Sequence, residues 1–123
     1  MSVADWYIAL FSLGSGVGIL AFWTSAIRER RVADVASGRH DIWFHITAEL
    51  TTAALLVGGA IAIFIDANGR ATAVISTFGL ASLLYSLIQS PGHYVAVKDK
   101  RMVATFLATG LFAVPAMILR FLA

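Results

Sequence analysis

The chain has no cysteine and only two prolines among its 123 residues, and just 13% of them are charged. The missing thiol excludes disulfides, thiolate metal sites and thiol redox chemistry. The shortage of charge excludes an ordinary soluble domain, in which about a quarter of residues are charged. A polar stretch long enough to set off a second domain is also lacking. What fills the chain is apolar sequence, with a mean hydropathy of +0.84. It is gathered into four blocks, Trp6 to Ile27, Ile42 to Ile65, Ala71 to Ser90 and Met102 to Leu122. A helical crossing of a bilayer needs ~20 consecutive apolar residues. The expected fold is therefore all-α, a single integral membrane domain over residues 1–123 forming a four-helix transmembrane bundle. The first block is longer than a signal-peptide core, and Asp5 stands where a basic leader would be, so the first helix is expected to stay in the mature protein.

The pI of about 9.4 does not point to nucleic acid. The basic residues cluster beside the apolar blocks. Arg28, Arg30, Arg31 and Arg39 follow the first, and Lys98, Lys100 and Arg101 precede the fourth; the opposite side holds only Arg70 and Arg120. Under the positive-inside rule both basic loops face the cytoplasm and both termini face out. The expected location is a plasma membrane, such as the inner membrane of a prokaryotic cell. Trp6, Tyr7, Trp23, Trp43 and Tyr94 lie near the block ends, where aromatic belts form.

The connections are short. Asp66-Ala67-Asn68-Gly69 is a tight turn, because Asn-Gly tolerates the left-handed backbone that such turns use. The second and third helices should then be antiparallel neighbours. Ser90-Pro91-Gly92 ends the third helix, since proline removes a donor and pushes the preceding residue out of helical geometry. The segment Arg28 to His40 suits either a short surface helix or a solvated loop.

Against this apolar background one pair stands out. His45-Ile-Thr-Ala-Glu49 places an imidazole and a carboxylate one helical turn apart inside the second block. An acid at a helix centre costs ~2.5–3.5 kcal/mol on insertion scales, and intramembrane ionisable residues are functional by default. Asp41, His45 and Glu49 repeat every four residues, with Thr52 three further on, so they form a polar stripe that descends from the cytoplasmic boundary. Tyr85, Gln89 and His93 repeat in the same way at matching depth on the third helix. If the two stripes face each other they line a polar cavity open to the cytoplasm. The alternative is that the polar groups only fix helix packing. A metal or haem at His45, Glu49 and His93 is the less favoured reading, since there is no second ligand pair of that spacing, and neither a metal nor another cofactor is expected.

Gly14-Ser15-Gly16-Val17-Gly18 in the first block is a run of small residues at helix-packing spacing. It follows no strand, so it is not a phosphate loop. Close helix approach and self-association, a dimer in the simplest case, are what it predicts. Pro115 should deprive the Leu111 carbonyl of its partner and kink the fourth helix.

The spacing His45-x-x-x-Glu49 on the second of four helices resembles the acid–base pair of sterol isomerases and related EXPERA-type membrane proteins. That resemblance implies an intramembrane enzyme acting on a lipid-like substrate; the further acid of that site has no clear counterpart here. Small multidrug transporters share the helix number, but their usual glutamate lies in the first helix, where this chain has no mid-helix acid. The leading expectation is a small transporter or channel for a small polar or cationic solute, with a protonatable site at His45 and Glu49. An enzyme using that pair as acid and base, with Tyr85 orienting the lipid-like substrate, and a non-catalytic membrane scaffold are the alternatives. The expected partners are membrane lipids and a second copy of the chain.

Overall fold

The computed structural model describes residues 1–28, 41–89 and 100–122, with the side chains of 41 and 42 excepted. It is all-helical. Helix α1 spans Val3–Arg28, α2 Asp41–Asp66, α3 Arg70–Gln89 and α4 Lys100–Leu122. Each is long and apolar enough to cross a membrane. The sequence-based blocks match these helices to within three residues at each end. The expectations for the segment after Arg28 and for Pro91, His93 and Tyr94 lie outside the described residues.

α1 begins before the apolar block because its first turn is capped. The Asp5 amide donates to Ser2 Oγ at 3.1 Å, and Asp5 Oδ2 accepts from the Ser2 amide at 2.9 Å. This reciprocal arrangement satisfies donors that the helix start leaves free. Between α2 and α3 the Gly69 amide donates to the Asp66 carbonyl at 3.2 Å. Thr72 Oγ1 donates to the same carbonyl at 2.7 Å, which ties the start of α3 to the end of α2. A Cβ at Gly69 would lie 2.7 Å from Asp66 Oδ2, so at this turn glycine makes room for a carboxylate.

Consecutive helices run antiparallel. α1 packs on α2, α2 on α3 and α3 on α4, and α4 closes back on α1. All four helices are apolar on most sides, so hydrophobicity alone does not choose which face turns inward. Small residues choose it, because they let backbones approach. A Cβ on Gly16 would sit 3.0 Å from the Ala53 carbonyl oxygen and 2.7 Å from Val57 Cγ2. One on Gly59 would sit 3.0 Å from Ser76 Cα, and one on Gly79 3.1 Å from the Leu55 carbonyl. Three glycine contacts thus fix α1 and α3 against α2.

The inward stripes follow from those contacts. On α2 Ile46, Ala53, Leu56, Ala60 and Ile63 are buried at alternating steps of three and four, apart from the gap at Glu49. α1 turns in Ile8, Ser12, Gly16, Trp23 and Ala26, and α3 turns in Thr72, Ser76, Gly79, Leu80 and Leu83. The buried residues of α4 are Ala113 and Ala116. The core joins Ile8, Leu56, Ile63, Leu80 and Leu83 with these two alanines. α4 stays helical through Pro115. Beside the proline, the Tyr7 hydroxyl donates to the Phe112 carbonyl at 2.6 Å.

Candidate functional site

Glu49 occupies the missing step in the inward stripe of α2, between Ile46 and Ala53. Its side chain is therefore delivered to the seam with α1, not to the outer surface, and is 12% exposed. From the other side of the seam comes Trp23, on the inward stripe of α1 and itself buried. The indole Nε1–H donates to Glu49 Oε2. His45, one turn earlier on α2, brings Nε2 to 3.5 Å from Glu49 Oε1, with its side chain 36% exposed. The Trp23 and His45 rings meet edge to face with centroids 5.9 Å apart, and Phe22 meets Trp23 in the same way at 5.2 Å.

The depths agree. Trp23 stands five residues before the end of α1 and Glu49 eight residues after the start of α2. At 1.5 Å per residue these are ~8 Å and ~12 Å from the same end of the bundle, within side-chain reach of each other. Hydrogen bonds to an ionised group are the strong ones, shorter and roughly twice as strong as neutral pairs. The carboxylate is thus held from two helices by an indole donor that keeps its proton and by an imidazole that can gain or lose one.

The other expected residues are distributed differently. Thr52 is buried near Glu49, but its hydroxyl donates to the Ala48 carbonyl of its own helix at 3.0 Å. Asp41 is the first residue of α2, with its side chain outside the described residues, as is His93. Tyr85 is 66% exposed and Gln89 is also exposed. The expected face-to-face meeting of the two polar stripes is therefore not what the fold brings together at these positions. The reason lies in α3. Gly79 meets the Leu55 backbone at the α2–α3 seam, and Leu80 and Leu83 turn into the core. Tyr85 follows Leu83 by two residues, ~200° around the helix, and so points away.

The glycine run divides for the same reason. Gly16 packs on α2, whereas a Cβ at Gly14 or Gly18 would meet nothing within 4 Å. Those two glycines lie on the outer face of α1. Thr105 and Thr109 on α4 turn their hydroxyls back to the carbonyls of Arg101 and Thr105, each at 2.8 Å. His45 and Glu49 are two groups that could ligate a metal, and among the described residues no group of three histidine, cysteine, aspartate or glutamate side chains comes together.

Sequence reasoning placed Trp23 in an aromatic belt and missed its part in the site. Two signals pointed to it. It continues the Ser12, Gly16 stripe along α1, and its depth lies within side-chain reach of Glu49 when counted from the shared end of the bundle.

Fold and site together define an all-helical protein with four potential membrane-crossing helices and a carboxylate–imidazole–indole cluster at one helix seam. The chain belongs to the family described as a domain of unknown function, DUF8058, which matches residues 3–122. No curated protein and no solved structure matches it.

Proposed function

We propose that this chain is a four-crossing integral membrane protein with both basic loops in the cytoplasm, and that it is a small transporter or channel with a protonatable site at Glu49 and His45. The cytoplasmic assignment rests on the basic residues that flank Arg28 and Lys100. The carrying observation is the shared carboxylate of Glu49. It lies inside an apolar helix, is bound by Trp23 and borders the half-exposed His45. Such a site accepts either a proton or a small cation, and the two compete for one negative charge. His45 is the neighbour that can pass a proton between the carboxylate and the headgroup region. Tyr85 lies on the outer surface, away from this pair.

The test is flux in proteoliposomes containing a pH-sensitive dye, driven by a tetramethylammonium gradient. The wild type should show pH-dependent coupled proton movement, and Glu49→Gln should abolish the pH dependence. An unchanged pH profile in Glu49→Gln would refute the mechanism.

A second reading has one observation in its favour. Both carboxylate oxygens of Glu49 face partners across or along the seam. Glu49 would then be a pin between α1 and α2 in a membrane scaffold. It predicts that Glu49→Gln lowers stability and that no flux is seen in the wild type. Self-association belongs to the same proposal. Gly14 and Gly18 present a small-residue face to the outside of α1, and substituting both with leucine should abolish a dimer detected by crosslinking.

A further inference from the structure

We infer that the outer face of α3 holds one anionic phospholipid, with its phosphate at Arg70 and one acyl chain along the helix below. The inference rests on the proposed membrane crossing and orientation, and not on the role of Glu49.

Two features share that face. The first is an open groove of about 380 Å³ lined by Ala73, Val74, Thr77, Phe78 and Ala81. The small side chains of Ala73, Thr77 and Ala81, at steps of four, leave room beside the larger Val74 and Phe78, which are both exposed. The residues that α3 buries, from Thr72 to Leu83, are others, so the groove opens away from the bundle. Its lining side chains are apolar except for the Thr77 hydroxyl, which suits hydrocarbon better than a polar solute.

The second feature is Arg70, the first residue of α3. At 100° per residue, Val74, Thr77 and Ala81 lie within ~40° of Arg70 around the helix, so this cation stands at the head of the groove. Arg70 is exposed, and among the described residues it has no ion-pair partner. Arg120, the other basic side chain on that side, is half-buried with Nη1 inside the protein. Arg70 is thus the guanidinium open to a ligand there. A guanidinium suits a phosphate, which it binds through two parallel N–H donors.

The dimensions agree with an outer-leaflet lipid. Ala73 and Ala81 lie ~4 Å and ~16 Å below Arg70 along the helix. Half of the hydrocarbon core is ~15 Å thick. A lipid with its phosphate level with Arg70 therefore lays its acyl chain along the whole groove. The glycine face of α1 lacks such a head, because the outer end of α1 carries Asp5 and no basic side chain.

The test uses the full chain in phosphatidylcholine vesicles with a minor share of phosphatidylglycerol that bears a diazirine on one acyl chain. After illumination, adducts are mapped by peptide mass. Labelling of residues 73–81 should exceed that of the exposed Val114 and Ile118 on α4 about fivefold, the preference that one basic side chain gives an anionic lipid. Arg70→Gln should remove the excess, Arg70→Lys should keep most of it, and Ala81→Leu should reduce it by filling the groove. Equal labelling of α3 and α4 in the wild type, or an excess unchanged in Arg70→Gln, would overturn the site and leave the flux experiment on Glu49 untouched. The chain has no cysteine, so Ala81→Cys tests the other occupant, a second copy. It should form no disulfide-linked dimer on oxidation in the same vesicles; a dimer through Cys would show that protein, not lipid, covers this face and would overturn the proposal.

Discussion

α2 and α4 are both long apolar helices, of 26 and 23 residues, and both contain glycine. They are held very differently. α2 is clamped on both sides, by Gly16 of α1 and by Gly79 of α3, and its own Gly59 admits the backbone of Ser76. α4 buries two alanines, and its Gly110 faces open space. The difference shows that helix apolarity does not determine packing here. What matters is where the small residues meet a neighbouring backbone. The clamped side of the bundle is also where the carboxylate sits. A site that must hold a charge in an apolar helix needs its partner placed accurately, and a glycine-fixed seam supplies that placement.

The comparison can be broken most severely at Gly79. A larger side chain there meets the Leu55 backbone, which cannot move aside as a side chain would. Gly79→Leu should destabilise the bundle by ~3 kcal/mol or more, the upper range for overpacking, measured by thermal unfolding in detergent. Wild-type stability in that variant would mean that α2 and α3 are not packed as described.

A smaller loss is expected at the site. Trp23→Phe keeps an aromatic ring at the seam but removes the donor to Glu49. A hydrogen bond to a charged group contributes ~1.5–3 kcal/mol, and the variant should lose about that much in the same assay. Trp23→Phe in a Glu49→Gln background should cost less, because the charge that the indole serves is gone. Equal costs in the two backgrounds would show that Trp23 acts by packing alone.

The smallest effect, and one of opposite sign, belongs to α4. Gly110→Ala should stabilise by up to ~1 kcal/mol, because no neighbour stands where the methyl goes. Destabilisation would show that something covers Gly110 and that α4 is more tightly held than its burial indicates.

Much of this fold was legible in the sequence because chain length and apolar blocks leave few choices. Four helices, their approximate ends and the tight α2–α3 turn all follow from hydropathy and from Asp66 to Gly69. The rotation of each helix was not legible. When most faces are apolar, periodicity does not separate inside from outside. Tyr85 and Gln89 match Glu49 and His45 in depth, yet Gly79 rotates them to the outer surface. Gly14, Gly16 and Gly18 read alike as small residues, yet only Gly16 meets α2. His45 and Glu49 could be found because charge is scarce in the chain. Trp23 escaped because aromatic residues near helix ends have an ordinary explanation, and its role depends on the α1–α2 rotation that Gly16 sets.

The proposed function makes Glu49 a protonatable group read by its neighbours, and Trp23 offers the direct probe. With Trp6 and Trp43 replaced by phenylalanine, Trp23 is the one indole left in the chain. Its fluorescence should be followed across pH in lipid in a His45→Gln background, which removes the titratable ring that packs on Trp23, with and without Glu49→Gln. Protonation of Glu49 changes the acceptor of the Trp23 N–H, so the emission should shift along a titration curve that disappears in Glu49→Gln. A curve that persists unchanged in Glu49→Gln, or the absence of any curve in the parent, would contradict the account.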